Sequence, residues 1–138
     1  MPEYVLGIDY GSRRIGIAIA QTLTRQASPL KVLLNNQQFW HELENIINEW
    51  QVKQLILGLP MDMDGEEQEI TRQVKNFGNK LKQQFSLPIN YVDERLSSFA
   101  AERQFQQQRA AGSSKAKDKR NIDAIAAQII LQSWLDYH

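Results

Sequence analysis

The sequence contains no cysteine, which excludes disulfide frameworks, thiolate zinc sites and thiol nucleophiles together. Its only histidines, His41 and His138, show no ligand spacing, so any bound metal has to sit among oxygens. No apolar run approaches the roughly 20 residues that span a bilayer, and Met1 to Tyr4 carry neither a basic start nor a long apolar stretch. The expectation is a soluble, cytoplasmic protein with no membrane partner. An excess of one charge is also missing: 16 Lys plus Arg balance 16 Asp plus Glu, which disfavours a non-specific nucleic-acid coat protein. What remains is a chain of 138 residues, the size of one domain spanning 1–138. That length buries about 70% of the unfolded surface without disulfides or structural metal.

The placement of charge is more informative than its sum. Acids crowd into Asp62 to Glu69, whereas Arg109, Lys115, Lys117, Lys119 and Arg120 outnumber the single Asp118 in a segment loosened by Gly112, Ser113 and Ser114. A phosphate chain can be held there. The Gln-rich stretch Gln104 to Gln108 reads as a solvated helix end, and there is no internal repeat.

Tyr4 to Asp9 reads as a strand and Arg14 to Ala20 as its antiparallel partner, joined by a tight turn at Tyr10 to Arg13 in which Gly11 can adopt positive φ. In the second strand Ile15, Ile17 and Ile19 share one face, and Gly16, Ala18 and Ala20 the other. The smooth face suits a helix lying close to the sheet. Leu30 to Leu34 is expected as a third strand. The three- and four-residue spacing of Trp40, Leu43, Ile46, Ile47 and Trp50 predicts an amphipathic helix over Gln37 to Trp50. Gln54 to Leu59 follows as a buried strand, Glu67 to Phe85 as a second helix and Pro88 to Val92 as a fifth strand. Ser97 or Ser98 is expected to cap a helix to about Gln108, and Asn121 a last helix to about Tyr137. The order βββαβαβαα predicts an α/β fold, a mixed sheet covered by helices.

Three acidic positions carry the chemistry. Asp9 lies where the first strand meets a Gly-flanked turn, a place where phosphate or metal can approach the backbone; the competing reading is a turn aspartate bonding local amides. Asp93 and Glu94 follow the fifth strand. By parity Ile89, Tyr91 and Asp93 point one way and Asn90, Val92 and Glu94 the other, so one acid of the pair faces Asp9, and the residues alone leave open which. Either could instead neutralise the amides of a following helix. Asp123 aligns with Ala126, Ala127, Ile130 and Trp134 on a stripe expected to pack against the sheet, where an ionised carboxylate needs a partner. It could also be a favourable acid in a first helical turn. Acids at a first-strand end, a later strand end and a final helix start can converge on one corner. Unneutralised they would repel, and carboxylate oxygens suit Mg²⁺ or Mn²⁺.

Four stretches carry a family likeness: Leu6-Gly7-Ile8-Asp9-Tyr10-Gly11-Ser12-Arg13-Arg14-Ile15-Gly16; Gly58-Leu59-Pro60 leading to Met63-Asp64-Gly65; Val92-Asp93-Glu94-Arg95-Leu96-Ser97; and Ile122-Asp123-Ala124-Ile125-Ala126-Ala127 with Ile129-Ile130-Leu131-Gln132. In this order the chain resembles the YqgF family of RNase H-like proteins, described as Holliday junction resolvase-like and as pre-16S rRNA processing nucleases. The resemblance implies a metal-dependent nuclease with an acidic triad at Asp9, Glu94 and Asp123 holding Mg²⁺ or Mn²⁺. It selects Glu94 over Asp93, and matches Arg13, Arg14 and Arg95 to the family's basic positions. Those three, with Lys115, Lys117, Lys119 and Arg120, are the expected nucleic-acid contacts, gripping phosphates in a salt-dependent way; ordinary solvated charge is the alternative for each. The implied partners are pre-rRNA, branched DNA and pre-ribosomal particles. The chain departs from many relatives at Ala20-Gln21-Thr22, where they place an acid after a Ser.

Rival readings have weaker support. A Ca²⁺ loop at Asp62-Met63-Asp64-Gly65 fails because it puts Pro60 where an acid is required. Gly7-Ile8-Asp9-Tyr10-Gly11 also resembles the phosphate-binding start of actin-like and sugar-kinase ATPases, which need two such domains. A catalytically silent RNA-binding ribosome-assembly module is opposed by the intact acid set. Neither a phosphate grip nor a metal cradle reads base identity, so the residues do not choose between rRNA maturation and junction resolution, nor between monomer and two-fold dimer.

Overall fold

Alternation of apolar residues with a period of two builds the sheet, and the two faces it creates are unlike. The computed structural model describes residues 3–61, 64–93 and 119–137, with backbone alone at 119–121. Strands β1 (Tyr4–Asp9), β2 (Arg14–Gln21) and β3 (Gln26–Leu34) are followed by helix α1 (Phe39–Trp50), β4 (Val52–Leu59), α2 (Glu69–Phe85) and β5 (Ile89–Asp93), and the last helix, α3, covers Lys119–Tyr137. The sheet order is β3-β2-β1-β4-β5. β1 to β3 pair antiparallel and β1, β4 and β5 parallel, each parallel step being bridged by a helix.

Leu6 and Ile8 of β1, Ile15, Ile17 and Ile19 of β2, and Leu55 and Leu57 of β4 form one core with Leu43 of α1 and Val74, Phe77 and Leu81 of α2. The opposite face holds Val5, Ala18, Ala20 and Ile56 against Ala127, Ile130, Leu131 and Leu135 of α3. The smooth face of β2 is indeed where a helix lies closest. A Cβ on Gly16 would fall 1.9 Å from the Asp123 carbonyl oxygen, and one on Gly7 would fall 2.7 Å from that of Ala127.

Several expectations shift by a few residues, for identifiable reasons. β3 begins at Gln26 and not at Leu30, although Pro29 reads as a breaker. As an edge strand it needs no outward N–H at that position, and the register slips by one residue between Ile17 and Ala18 of its partner. Its outer backbone is capped by α3: Gln132 Oε1 accepts from Ala27 N–H at 2.9 Å, Gln128 Nε2 donates to Ala27 O at 3.0 Å, and Gln132 Nε2 donates to Arg25 O at 3.1 Å. Side-chain amides thus cover polar edge groups that would otherwise invite another strand. Gly11 does not adopt positive φ; among the described glycines Gly65 does, at 81°. Gly11 is required by space instead, since a Cβ there would lie 2.4 Å from the Arg14 carbonyl oxygen. Asn121 sits inside α3 and not at its cap. The helix expected from Ser97 or Ser98 to Gln108 lies outside the described residues.

Candidate active site

Asp9 ends β1, and its orientation follows from the alternation just described. Val5 packs under α3 and Gly7 touches it, so Asp9, two residues on, faces the α3 side at the carboxyl end of the strand. Its pairing partner across the antiparallel ladder is Gly16. The turn after Asp9 is fastened from a distance: Asn35 Nδ2 donates to Gly11 O at 2.9 Å, and Asn35 N–H donates to Arg13 O at 2.8 Å. Tyr10 packs on Phe77 with ring centroids 4.7 Å apart. Asp9 is therefore held between a strand and an anchored turn.

Asp123 reaches the same corner because Gly16 has no side chain. Its carbonyl lies over Gly16, and Gly16 and Asp9 are neighbours across one strand spacing of about 5 Å. The buried stripe of α3 is rotated from the expected one. Ala127, Leu131, Ile130, Ala124 and Leu135 are its innermost members, so Ala127 and Ile130 lie where expected, while Asp123 sits at the margin with its side chain 26% exposed. The carboxylate is thus half-buried at the edge of the contact between α3 and the sheet. Arg14 Nε lies 3.2 Å from Asp123 Oδ2. That approach is close enough for an ion pair but not aligned for a hydrogen bond, so Oδ2, shielded from water, receives no hydrogen bond among the described residues.

A buried carboxylate oxygen without a donor is a cation-seeking group. Asp9 and Asp123 together offer hard oxygens of the kind Mg²⁺ and Mn²⁺ take, and so fit a divalent ion. The described residues do not gather three such ligands by themselves. Glu94 lies outside them. Asp93 is described, and β5 turns it away: Ile89 belongs to the core of α1 and α2, and Tyr91 places its hydroxyl against Gly78 of α2, so Asp93 shares that face and not the face of Asp9. Gly58, one step beyond the last paired residue of β4 at Leu57, pairs with Val92 of β5. The row through Asp9 is therefore flanked by glycine on both neighbouring strands.

Of the expected phosphate contacts, Arg13 is exposed in the β1–β2 turn and Arg14 opens β2. Lys119 and Arg120 fall in the first turn of α3 and not in a loop. Arg95, Lys115 and Lys117 lie outside the described residues. Sequence reasoning missed Asn35 and the pairing of Arg14 with Asp123. Asn35 follows a strand like many turn asparagines, and nothing local says that it braces a turn 24 residues away.

The chain is 40% identical over 134 residues to a candidate pre-16S rRNA nuclease of Aeromonas salmonicida, covering 96% of this chain and 94% of that one. It is 42% identical over 134 residues to a protein of the same description from Burkholderia ambifaria, covering 96% and 88%. Its fold is similar to that of Thermus thermophilus RuvC in complex with a Holliday junction substrate, with a TM-score of 0.58 at 13% identity, covering 98% of this chain and 94% of that one. The RNase H-like expectation for the fold therefore holds. Residues 3–137 match the family model described as RuvX, Holliday junction resolvase, and the chain belongs to that family, also called YqgF.

Proposed function

We propose that the protein is a divalent-metal-dependent nuclease that hydrolyses phosphodiester bonds, acting in maturation of the 5′ end of pre-16S rRNA in the cytoplasm. The reading is supported by Asp9 pairing with Gly16 across the ladder while the Asp123 carbonyl lies over that same Gly16, and by an Asp123 oxygen that is sheltered and lacks a hydrogen-bond donor among the described residues. Asp9 and Asp123 hold Mg²⁺ or Mn²⁺, with Glu94 as the third acid, since the alternation of β5 gives Asp93 to the other face. When bound, such an ion supplies the positive charge that makes water nucleophilic at neutral pH and stabilises the leaving oxygen. The chain's own residues orient the substrate. Arg13, Arg14, Arg95, Lys115, Lys117, Lys119 and Arg120 grip flanking phosphates without reading base identity.

The rRNA substrate is favoured by the names of the relatives that share about two-fifths of the sequence. Junction resolution is the second reading, favoured by the family description and by the fold shared with RuvC. The test is cleavage by wild type and Asp9→Asn, with and without Mn²⁺, on a pre-rRNA 5′ leader and on a four-way DNA junction. Cutting that needs both Mn²⁺ and Asp9 supports the site, and the preferred substrate selects the pathway. Equal cutting by both proteins refutes it.

A further inference from the structure

We propose that Arg14 is a built-in counter-cation that competes with the divalent ion for Asp123, so that metal binding and release of this guanidinium are one event. The inference rests on the nuclease reading and deepens it. Arg14 opens β2 two residues before Gly16, and the alternation of that strand puts its side chain on the face covered by α3. Its Nε stands 3.2 Å from Asp123 Oδ2, yet no N–H of the described residues is directed at that oxygen. The contact is therefore held by charge and not by a directional bond.

That combination is suited to exchange. The Arg14 side chain is 49% exposed, so displacing it costs little desolvation and breaks no aligned hydrogen bond. A guanidinium cannot coordinate with the compactness of a small dication, and the two cannot share one carboxylate oxygen without repulsion. With Arg14 in place the carboxylate is partly neutralised, and repulsion between Asp9 and Asp123 is relieved. When a dication takes over Oδ2, Arg14 is released at the mouth of the same corner, as a planar donor suited to a phosphate. The same residue thus serves the empty site as counter-ion and the loaded site as a phosphate contact.

The sign of the effect distinguishes competition from simple support. Mn²⁺ affinity is measured by isothermal titration for wild type, Arg14→Gln and Arg14→Lys at fixed ionic strength, with circular dichroism confirming the fold. Removing the competing charge is expected to tighten Mn²⁺ binding on the order of tenfold, the effect of a nearby cation in largely water-exposed surroundings, while Arg14→Lys stays close to wild type. If Arg14 only props the site, Arg14→Gln loosens binding. Should Arg14→Gln unfold at the measuring temperature, Arg14→Met keeps the aliphatic stem and gives the same reading. Wild-type binding with equal or weaker binding by the neutral variants overturns this inference alone. Absence of Mn²⁺ binding by wild type overturns the nuclease reading and this inference with it.

Discussion

Substituting Gly16 by alanine tests the join between fold and site. The new methyl would lie 1.9 Å from the Asp123 carbonyl oxygen, 2.3 Å from its carbon and 3.0 Å from the Ala124 nitrogen. All three are backbone atoms, so no side chain can swing aside. The first turns of α3 have to retreat from β2 by roughly 1 Å, an overpacking that costs about 2–3 kcal/mol and lowers the melting temperature by roughly 10 °C. Because Asp123 rides on the displaced turn, a shift of that size is also expected to reduce cleavage on the order of a hundredfold. Gly7→Ala is the control. Its methyl would meet Leu131 Cβ at 2.6 Å and Ala127 O at 2.7 Å, one to two turns further along α3. It should cost comparable stability with a much smaller loss of rate. Thermal melts monitored by circular dichroism, with single-turnover cleavage of a pre-rRNA leader well below the transition, separate the two effects. A Gly16→Ala protein that melts like wild type and cleaves at the wild-type rate would refute the close-approach argument.

Three other substitutions probe separate links. Asn35→Ala removes the bond to Gly11 O, a loss of about 1 kcal/mol, and by loosening the turn after Asp9 it should lower cleavage several-fold at temperatures where the protein is fully folded. The double change Gln128→Leu and Gln132→Leu strips the caps from Ala27 of β3 and from Arg25 just before it; light scattering should then show concentration-dependent association through the uncovered edge. Burial raises the pKa of Tyr91 above its usual 10.0, with Lys75 opposing more weakly. The unfolded chain therefore ionises first as pH climbs past 10, and stability present below that value is lost as pH rises through the folded pKa. Melting temperatures of wild type and Tyr91→Phe should diverge between pH 9 and pH 11, with wild type falling faster; parallel curves would contradict this.

The sheet was legible in the sequence because each buried strand alternates, and Gly16, Ala18 and Ala20 announced the side on which a helix comes close. The start of β3 was hidden because Pro29 is excluded only from central strands, and an edge position is a tertiary fact. The parity of Asp93 and Glu94 was legible, but the side to which Asp93 belongs depended on Tyr91 meeting Gly78 across the chain. Ala127 and Ile130 of the α3 stripe were read correctly, but its centre lies further toward Ala124, Leu131 and Leu135, because Ala126 and Trp134 resemble core residues as much as Ala124 and Leu135 do. Asn35 with Gly11, and Arg14 with Asp123, are contacts between segments far apart in sequence, which no local pattern announces.

In the proposed site two carboxylates contributed by opposite ends of the chain serve one cation. A double-mutant cycle in Mn²⁺ affinity over Asp9→Asn, Asp123→Asn and the combined variant measures this directly. If the ion is shared, each single change weakens binding by at least roughly tenfold and the pair loses clearly less than the product of the two. Two independent losses that multiply, or binding unaffected by either change, would contradict it.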